Sequence, residues 1–370
     1  MRVALFFGHP AHFHMLKYVA EGLKVHGHEV FFVIKKKDIL ETLCQNAGFK
    51  YFKIREGRTG SKIGLIRSVL GMEYHMWQFL RRNKIDILIG STLSFTASKI
   101  NRISVIAMGE DDADVVPNFA KLVYPFASCV LTPDSCNNGR WDIKSTKYPG
   151  FQKLAYLHPK RFSPDRKIVE QYQIDPDRPY FIFRFASLKA HHDVGVQGIT
   201  TEVAQHLIDI LAPHGRILIT SERELEPQFE QYRMHINPLD IHHLMAFATL
   251  YIGDSQSMAV EAAMLGIPSL RFNDFVGKKK IGVMEELEHV YGLTYGISSR
   301  EPYKLYAKIE ELLAMPNLRE EWQQRRQRML ADKIDVTAFF TWFIENYPTS
   351  VEQAKKANNE KDTSFWQRFK

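Results

Sequence analysis

The segment running from Ile252-Gly253-Asp254-Ser255-Gln256-Ser257-Met258 through Glu261 to Gly266-Ile267-Pro268 puts small polar residues between a short apolar run and an apolar stretch of helical length. A strand ending at Gly253 and a helix opening over Ser255–Met258 would aim backbone N–H groups and the positive end of the helix dipole at one point. That arrangement suits a phosphate, and a diphosphate in particular. Between Ser255 and Leu270 the only ionised side chain is Glu261, set among Met258, Val260, Ala262, Ala263 and Leu265. A poorly solvated carboxylate costs on the order of several kcal/mol unless something compensates it. Ribose hydroxyls would do so, and so would an arginine elsewhere in the fold.

Other residues have chemistry to offer at expected strand ends. Gly8-His9-Pro10-Ala11-His12-Phe13-His14 follows the first apolar run, and a histidine titrates near neutral pH, where general-base work needs it. His12 and His14 are two apart, so at most one of them is expected to face a site once a helix begins. Capping that helix or binding phosphate are the alternatives. A metal site with His9 lacks a nearby carboxylate or cysteine, and no metal is expected. Arg184, followed by Ser187, offers a fork of donors for a diphosphate that a lysine cannot copy. Ser221 follows a further apolar run, with Arg223 as a surface residue or a partner of Glu222. His235 and Asn237 precede Pro238 at a tight turn. Asp111, between Glu110 and Asp112, could accept a proton or orient a hydroxyl, although three neighbouring acids read first as a solvated loop. Ser91, Thr92 and Ser94 add hydroxyls, and His191-His192 lie in a polar loop.

Several segments carry a resemblance. Pro10-Ala11-His12-Phe13-His14-Met15-Leu16-Lys17, Leu131-Thr132-Pro133, Tyr148-Pro149-Gly150 with Ala155-Tyr156-Leu157, and Pro179-Tyr180 leading to Arg184 resemble a family of predicted GT-B proteins over about residues 1 to 300. The Ile252–Pro268 segment is similar to the sugar-nucleotide loop of GT-B glycosyltransferases and UDP-GlcNAc 2-epimerases. The resemblance implies that Ser255, Gln256, Ser257 and Met258 take the diphosphate, with Glu261 on the ribose and main-chain groups near His235 and Asn237 on the base. It also implies an acceptor side at the loop of Gly8 and His9, with His12 or His14 as base; Ser91, Thr92 and Asp111, by their strand-end positions, are expected on the same acceptor side. Where related loops have paired glycines, this chain has Ser255-Gln256.

Positioning these residues requires alternating strands and helices. Val3–Phe7 reads as a strand, Phe13–His26 as a helix with Phe13, Leu16, Val19, Ala20 and Leu23 on one face, and Gly27 as its stop. The alternation continues to about residue 150 and restarts at Tyr180–Phe185, with strands expected at Arg216–Thr220, Met234–Ile236, Leu250–Ile252 and Pro268–Arg271. Alternation of this kind implies parallel sheets with crossover helices. The expected fold is α/β of the GT-B type, two doubly wound Rossmann-like domains facing a central cleft. Its boundaries are 1–150, a connection over 151–178, a second domain over 179–335, a closing helix over 336–348 and a flexible tail over 349–370. Phe365-Trp366 in that tail suggest a weak membrane-surface contact.

The chain's 370 residues exceed what one core usually holds, and no apolar run has the length to span a bilayer. Three cysteines, Cys44, Cys129 and Cys136, fit a reducing compartment, so cytoplasm or the inner face of the membrane is expected. A net charge of +7 suits a polyanion. No aromatic-and-basic motif points to nucleic acid. The residues and the resemblance together predict an enzyme: a metal-independent glycosyltransferase without a prosthetic group, in surface polysaccharide or glycoconjugate synthesis. Its expected substrates are a nucleotide-sugar, UDP-sugars included, and a saccharide or lipid-linked acceptor. A UDP-sugar 2-epimerase and a non-catalytic binding protein or scaffold of the same fold are the alternatives.

Overall fold

A computed structural model describes residues 1–8, 10–35, 40–54, 62–90, 95–186 and 198–370. They divide into two compact units, the first comprising Met1–Arg161 with Lys333–Lys370 and the second Phe162–Asp332. His9, Ser91, Thr92, Ser94, Ser187, His191 and His192 lie outside the described residues.

The first unit begins with β1 (Arg2–Phe7), α1 (Pro10–Val25), β2 (Glu29–Lys35), α2 (Leu40–Asn46), β3 (Tyr51–Ile54), α3 (Lys62–Arg82) and β4 (Ile87–Ile89). It continues with β5 (Ser104–Met108), α4 (Pro117–Val123), β6 (Cys129–Pro133), β7 (Ser145–Tyr148) and α5 (Leu154–Leu157). All strand pairs are parallel, in the order β3-β2-β1-β4-β5-β6-β7. Val3–Phe7 are buried on both faces, as a central parallel strand requires. In α1, Phe13, Leu16, Val19, Ala20 and Leu23 are buried, as their shared helical face predicts. Gly27, with φ +82°, ends it as the spacing predicts.

The second unit contains α6 (Arg166–Gln171), β8 (Tyr180–Phe185), α7 (Thr201–Leu211), β9 (Arg216–Ser221), α8 (Ile241–Phe247), β10 (Leu250–Gly253) and α9 (Gln256–Met264). It closes with β11 (Ser269–Phe272), α10 (Gly282–Glu285), β12 (Thr294–Ile297), α11 (Pro302–Leu313) and α12 (Leu318–Asp332). The strands form a second parallel sheet ordered β12-β11-β10-β8-β9. The expected strand at Met234–Ile236 is absent. One bridge between Ile219 and Arg233 is all that forms, and the Met234 N–H reaches the Ile219 carbonyl at 2.8 Å. From α12, Gln323 Nε2 donates to the carbonyls of Leu265 (3.0 Å) and Gly266 (3.1 Å), and Arg326 Nε donates to that of Met264 (2.6 Å). These bonds satisfy the carboxyl end of α9.

The expected linker and tail are both incorporated in the structure. Phe151, Leu154, Tyr156 and Leu157 are buried in the first unit, while Tyr172 Oη donates to Asp240 Oδ2 at 2.6 Å within the second. After Asp332 the chain returns to the first unit as α13 (Val336–Glu345), α14 (Thr349–Glu360) and α15 (Thr363–Gln367). Asp335 caps α13 through the N–H groups of Thr337 (3.0 Å) and Ala338 (3.2 Å) and pairs with Arg161 at 2.6 Å. Phe339 lies 5.5 Å from Tyr148, 5.3 Å from Trp366 and 5.3 Å from Phe369, ring to ring. Residues 349–370, expected as a flexible tail, are therefore helical and packed, because their aromatic residues complete this unit's core. Trp366 is buried in that packing, which gives no support to the membrane contact expected of Phe365-Trp366.

Candidate functional site

In an open parallel sheet the ligand-binding position is the crevice at the carboxyl ends of the strands where the strand order reverses. Each unit has one such point. In the second, the order β9-β8-β10-β11-β12 reverses between β8 and β10, where Arg184 lies beside Gly253. The two strands approach so closely that a Cβ on Gly253 would fall 2.8 Å from the Arg184 Cβ and 2.6 Å from the Tyr251 hydroxyl.

Asp254 follows directly and is buried. Its carboxylate accepts from the N–H groups of Ala186 (2.6 Å) and Ile199 (3.4 Å), and its carbonyl accepts from Asn273 Nδ2 (3.0 Å). The residue thus ties together the end of β8, the entry to α7 and the end of β11. Burial pushes its carboxyl up to about 6, against the pull of those backbone donors. Ser255 caps α9 by accepting from the Met258 N–H at 3.5 Å, and Ser255, Gln256, Ser257 and Met258 are all half-buried at the helix start. This is the strand, polar turn and capped helix predicted from the sequence.

Glu261 is 7% exposed, one turn further in, and its Oε1 lies 3.4 Å from His242 Nε2 of α8. The nearest described basic group to the acid is therefore a histidine. Arg184 also differs from expectation. Its Nη1 donates to Thr220 Oγ1 at 2.9 Å and its Nη2 pairs with Glu222, so Arg184 rather than Arg223 is the partner of that acid. Arg223 instead donates to the Ile199 carbonyl at 2.9 Å and covers the Phe185 ring. Ser221 is absorbed in a turn, its hydroxyl donating to the Arg223 carbonyl at 2.7 Å. His235 is exposed, and Asn237 caps the following turn through the Leu239 N–H at 3.1 Å.

Arg271, near the carboxyl end of β11, has no place in the sequence reading beyond marking the end of a strand. It is 6% exposed, and Nη1 meets Gln256 Oε1 at 3.4 Å, beside the start of α9. Its Nε has no hydrogen-bond partner among the described residues. Burial lowers its pKa, and only the nearby charges of Glu288 and Glu285 oppose that. A buried guanidinium with a donor unused, next to a helix start, has the chemistry that an anion site calls for. Strand-end position was the available signal, masked by the apolar neighbours Leu270 and Phe272.

In the first unit the order reverses between β1 and β4, at Gly8 and Gly90. Gly90 has φ +155°, and a Cβ there would sit 2.8 Å from the Phe6 Cβ. The Gly8 N–H donates to His12 Nδ1 at 3.2 Å. A neutral His12 in that bond carries its hydrogen on Nε2 and presents a donor, which is opposite to what a base requires. His14 is buried, with its ring 5.4 Å from that of Tyr156 and 5.3 Å from that of Phe13.

The acids after β5 do not form the expected solvated loop, because each takes a separate partner or direction. Glu110 Oε1 pairs with Lys153, itself 3% exposed, and Asp112 accepts from the Asn137 N–H, leaving Asp111 half-buried. Glu110 Oε2 and the fully buried Tyr148 hydroxyl have no hydrogen-bond partners among the described residues. Burial first, and the Glu110 charge after it, raise the Tyr148 pKa well above its usual value. Lys153 and Tyr148 are functional candidates to which the sequence reading gave no chemical role. Among the described residues, no three His, Cys, Asp or Glu side chains are grouped to hold a metal ion.

No protein-family model and no curated protein matches this chain. Solved structures do. S. aureus MnaA in its UDP co-structure superposes with a TM-score of 0.65 at 11% identity, covering 94% of this chain and 97% of that one. The UDP-GlcNAc 2-epimerase from Neisseria meningitidis bound to UDP-GlcNAc gives 0.62 at 14% identity, over 87% and 94%. The spinosyn rhamnosyltransferase SpnG complexed with spinosyn aglycone gives 0.59 at 13% identity, over 94% and 100%. Two parallel sheets with their reversal points, together with this likeness over nearly the whole chain, establish the fold as GT-B, the one shared by these glycosyltransferases and UDP-GlcNAc 2-epimerases.

Proposed function

We propose that the protein is a glycosyltransferase whose second unit holds a nucleoside diphosphate sugar, with uridine the first base to test. The observation that carries this reading is the buried Arg271, with an unused Nε donor, beside the half-buried start of α9. In transfer, the acceptor oxygen bonds to the anomeric carbon and the sugar–phosphate bond breaks. The diphosphate leaves with added negative charge. A guanidinium and a helix start aimed at those oxygens stabilise the charge as it develops, so the step does not require a metal. Glu261, already near His242, lies one turn away and would meet the ribose as part of that pair.

On the first unit, Glu110 is a better candidate base than either histidine, since its Oε2 is unused while Lys153 holds the other oxygen. The same group favours a second reading, epimerisation of the sugar nucleotide, because a carboxylate and a tyrosine hydroxyl can move protons without any acceptor. MnaA with UDP and the N. meningitidis epimerase with UDP-GlcNAc are consistent with either reading.

Titration calorimetry with UDP, UDP-GlcNAc, GDP-sugars and CMP-sugars tests the donor site. Binding that Arg271→Gln weakens supports the assignment, and no heat with any of them removes it. Sugar analysis without acceptor then separates the readings. An epimerase converts its substrate, whereas a transferase leaves it intact or hydrolyses it slowly.

A further inference from the structure

α3 is apolar on two faces. Met72, Met76, Phe79 and Leu80 are buried in the first unit's core. On the opposite side Ile66, Leu70 and Tyr74 recur every four residues, a spacing that aligns them along the helix, and they are 60%, 64% and 54% exposed. Trp77 and Arg81 extend the stripe. The Tyr74 and Trp77 rings are 5.6 Å apart, and the Arg81 guanidinium lies 5.7 Å from the Trp77 ring. Beside it, Glu73 Oε2 accepts from the Thr96 N–H at 3.3 Å, which fixes the helical turn Thr96–Ile100, and Phe95 and Ile100 at its ends are exposed.

The surrounding charge is one-sided. From Ile66 to Arg102 the sequence has six Lys or Arg and two Asp or Glu. All six cations, Arg67, Arg81, Arg82, Lys84, Lys99 and Arg102, are exposed.

We propose that this face docks the protein reversibly on an anionic lipid surface, with α3 lying in the plane of the headgroups. Exposed aliphatic residues supply the inserted area, Tyr74 and Trp77 are the ring types that settle at headgroup level, and the arginines and lysines meet the lipid phosphates. The charge selects this occupant over a second copy of the chain. A twofold contact would set the same cations against one another, whereas an anionic membrane neutralises them. No helix among the described residues is long and apolar enough to cross a membrane, so the contact is peripheral.

Flotation of the full chain with vesicles tests this, using phosphatidylcholine alone and phosphatidylcholine with about one third phosphatidylglycerol. Binding is expected on the anionic vesicles only, and it should fall as salt rises. Leu70→Glu with Tyr74→Glu should abolish it. Arg67→Glu with Arg81→Glu should weaken it by about tenfold or more. Tyr303→Glu, at an exposed tyrosine of the second unit, should leave it unchanged. Circular dichroism and thermal melts show whether each variant is folded. The proposal is overturned by failure of the parent chain to float, by equal flotation of folded Leu70→Glu/Tyr74→Glu, or by sedimentation that finds a dimer which Leu70→Glu dissociates.

Discussion

At the carboxyl-end edge of the second sheet, the proposed binding role falls to Arg271, while Asp254 ties strands and helix together. A charge-assisted hydrogen bond contributes about 1.5–3 kcal/mol. Arg271→Gln should therefore weaken nucleotide affinity by about 10- to 100-fold, read by calorimetry, with little change in the rate of any bound complex. Asp254 is expected to act on stability and pH dependence. Its folded carboxyl titrates near 6 and an unfolded one near 3.9, so the folded state holds the proton more tightly. The stability this contributes is complete below about pH 4 and lost as pH rises through about 6, a change of at most about 3 kcal/mol. Denaturant midpoints from pH 4 to 7 should show that decline in the parent chain and not in Asp254→Asn. His12→Ala should cost more activity than Glu110→Gln if the histidine is the base after all; the Gly8 bond to Nδ1 predicts the reverse order. Much of this edge was legible in the sequence. Ser255 caps as its type and place predict, and Glu261 is buried as its apolar neighbours imply. Arg271 and Lys153 were not, because an isolated cation beside apolar residues gives no sign of which atoms its side chain will meet once strands distant in sequence are brought together.

At the scale of elements, the apolar strands and amphipathic helices followed their periodicity closely. β8 (Tyr180–Phe185) has the bounds that the pattern predicts, and β9 (Arg216–Ser221) and β10 (Leu250–Gly253) each run one residue further. β12 escaped notice because Thr294-Tyr295-Gly296-Ile297 mixes polar residues and a glycine in an edge strand, where one side of the ladder has no partner. Residues 234–236 have the opposite problem, a strand-like composition with only one ladder bond to hold them. Packing is tight where β8 meets β10. Gly253→Ala should cost about 1–3 kcal/mol in thermal or denaturant unfolding, since both colliding neighbours belong to the sheet itself. A neutral result would mean that the two strands can separate at their carboxyl ends.

For the molecule as a whole, the two-unit division was legible but its boundaries were not. Prolines over 159–179 suggest a linker by composition, yet packing around Phe151, Tyr156 and Tyr172 assigns those residues to one unit or the other. The helices after Asp332 belong to the first unit by contact, although they are last in sequence. Trp366→Ala should therefore destabilise that unit by roughly 3 kcal/mol, seen as an earlier melting phase, while nucleotide-induced stabilisation of the second unit is retained. The same connectivity sets an order of events during translation. Residues 162–332 form a contiguous stretch that can fold as soon as it clears the ribosome, whereas the β-sheet begun at Arg2 must wait for Phe339, Trp366 and Phe369 to emerge. A chain that ends at residue 335 and has been released from the ribosome should thus carry a protease-resistant later half and a digestible earlier one, reversing the usual amino-terminal-first sequence of assembly.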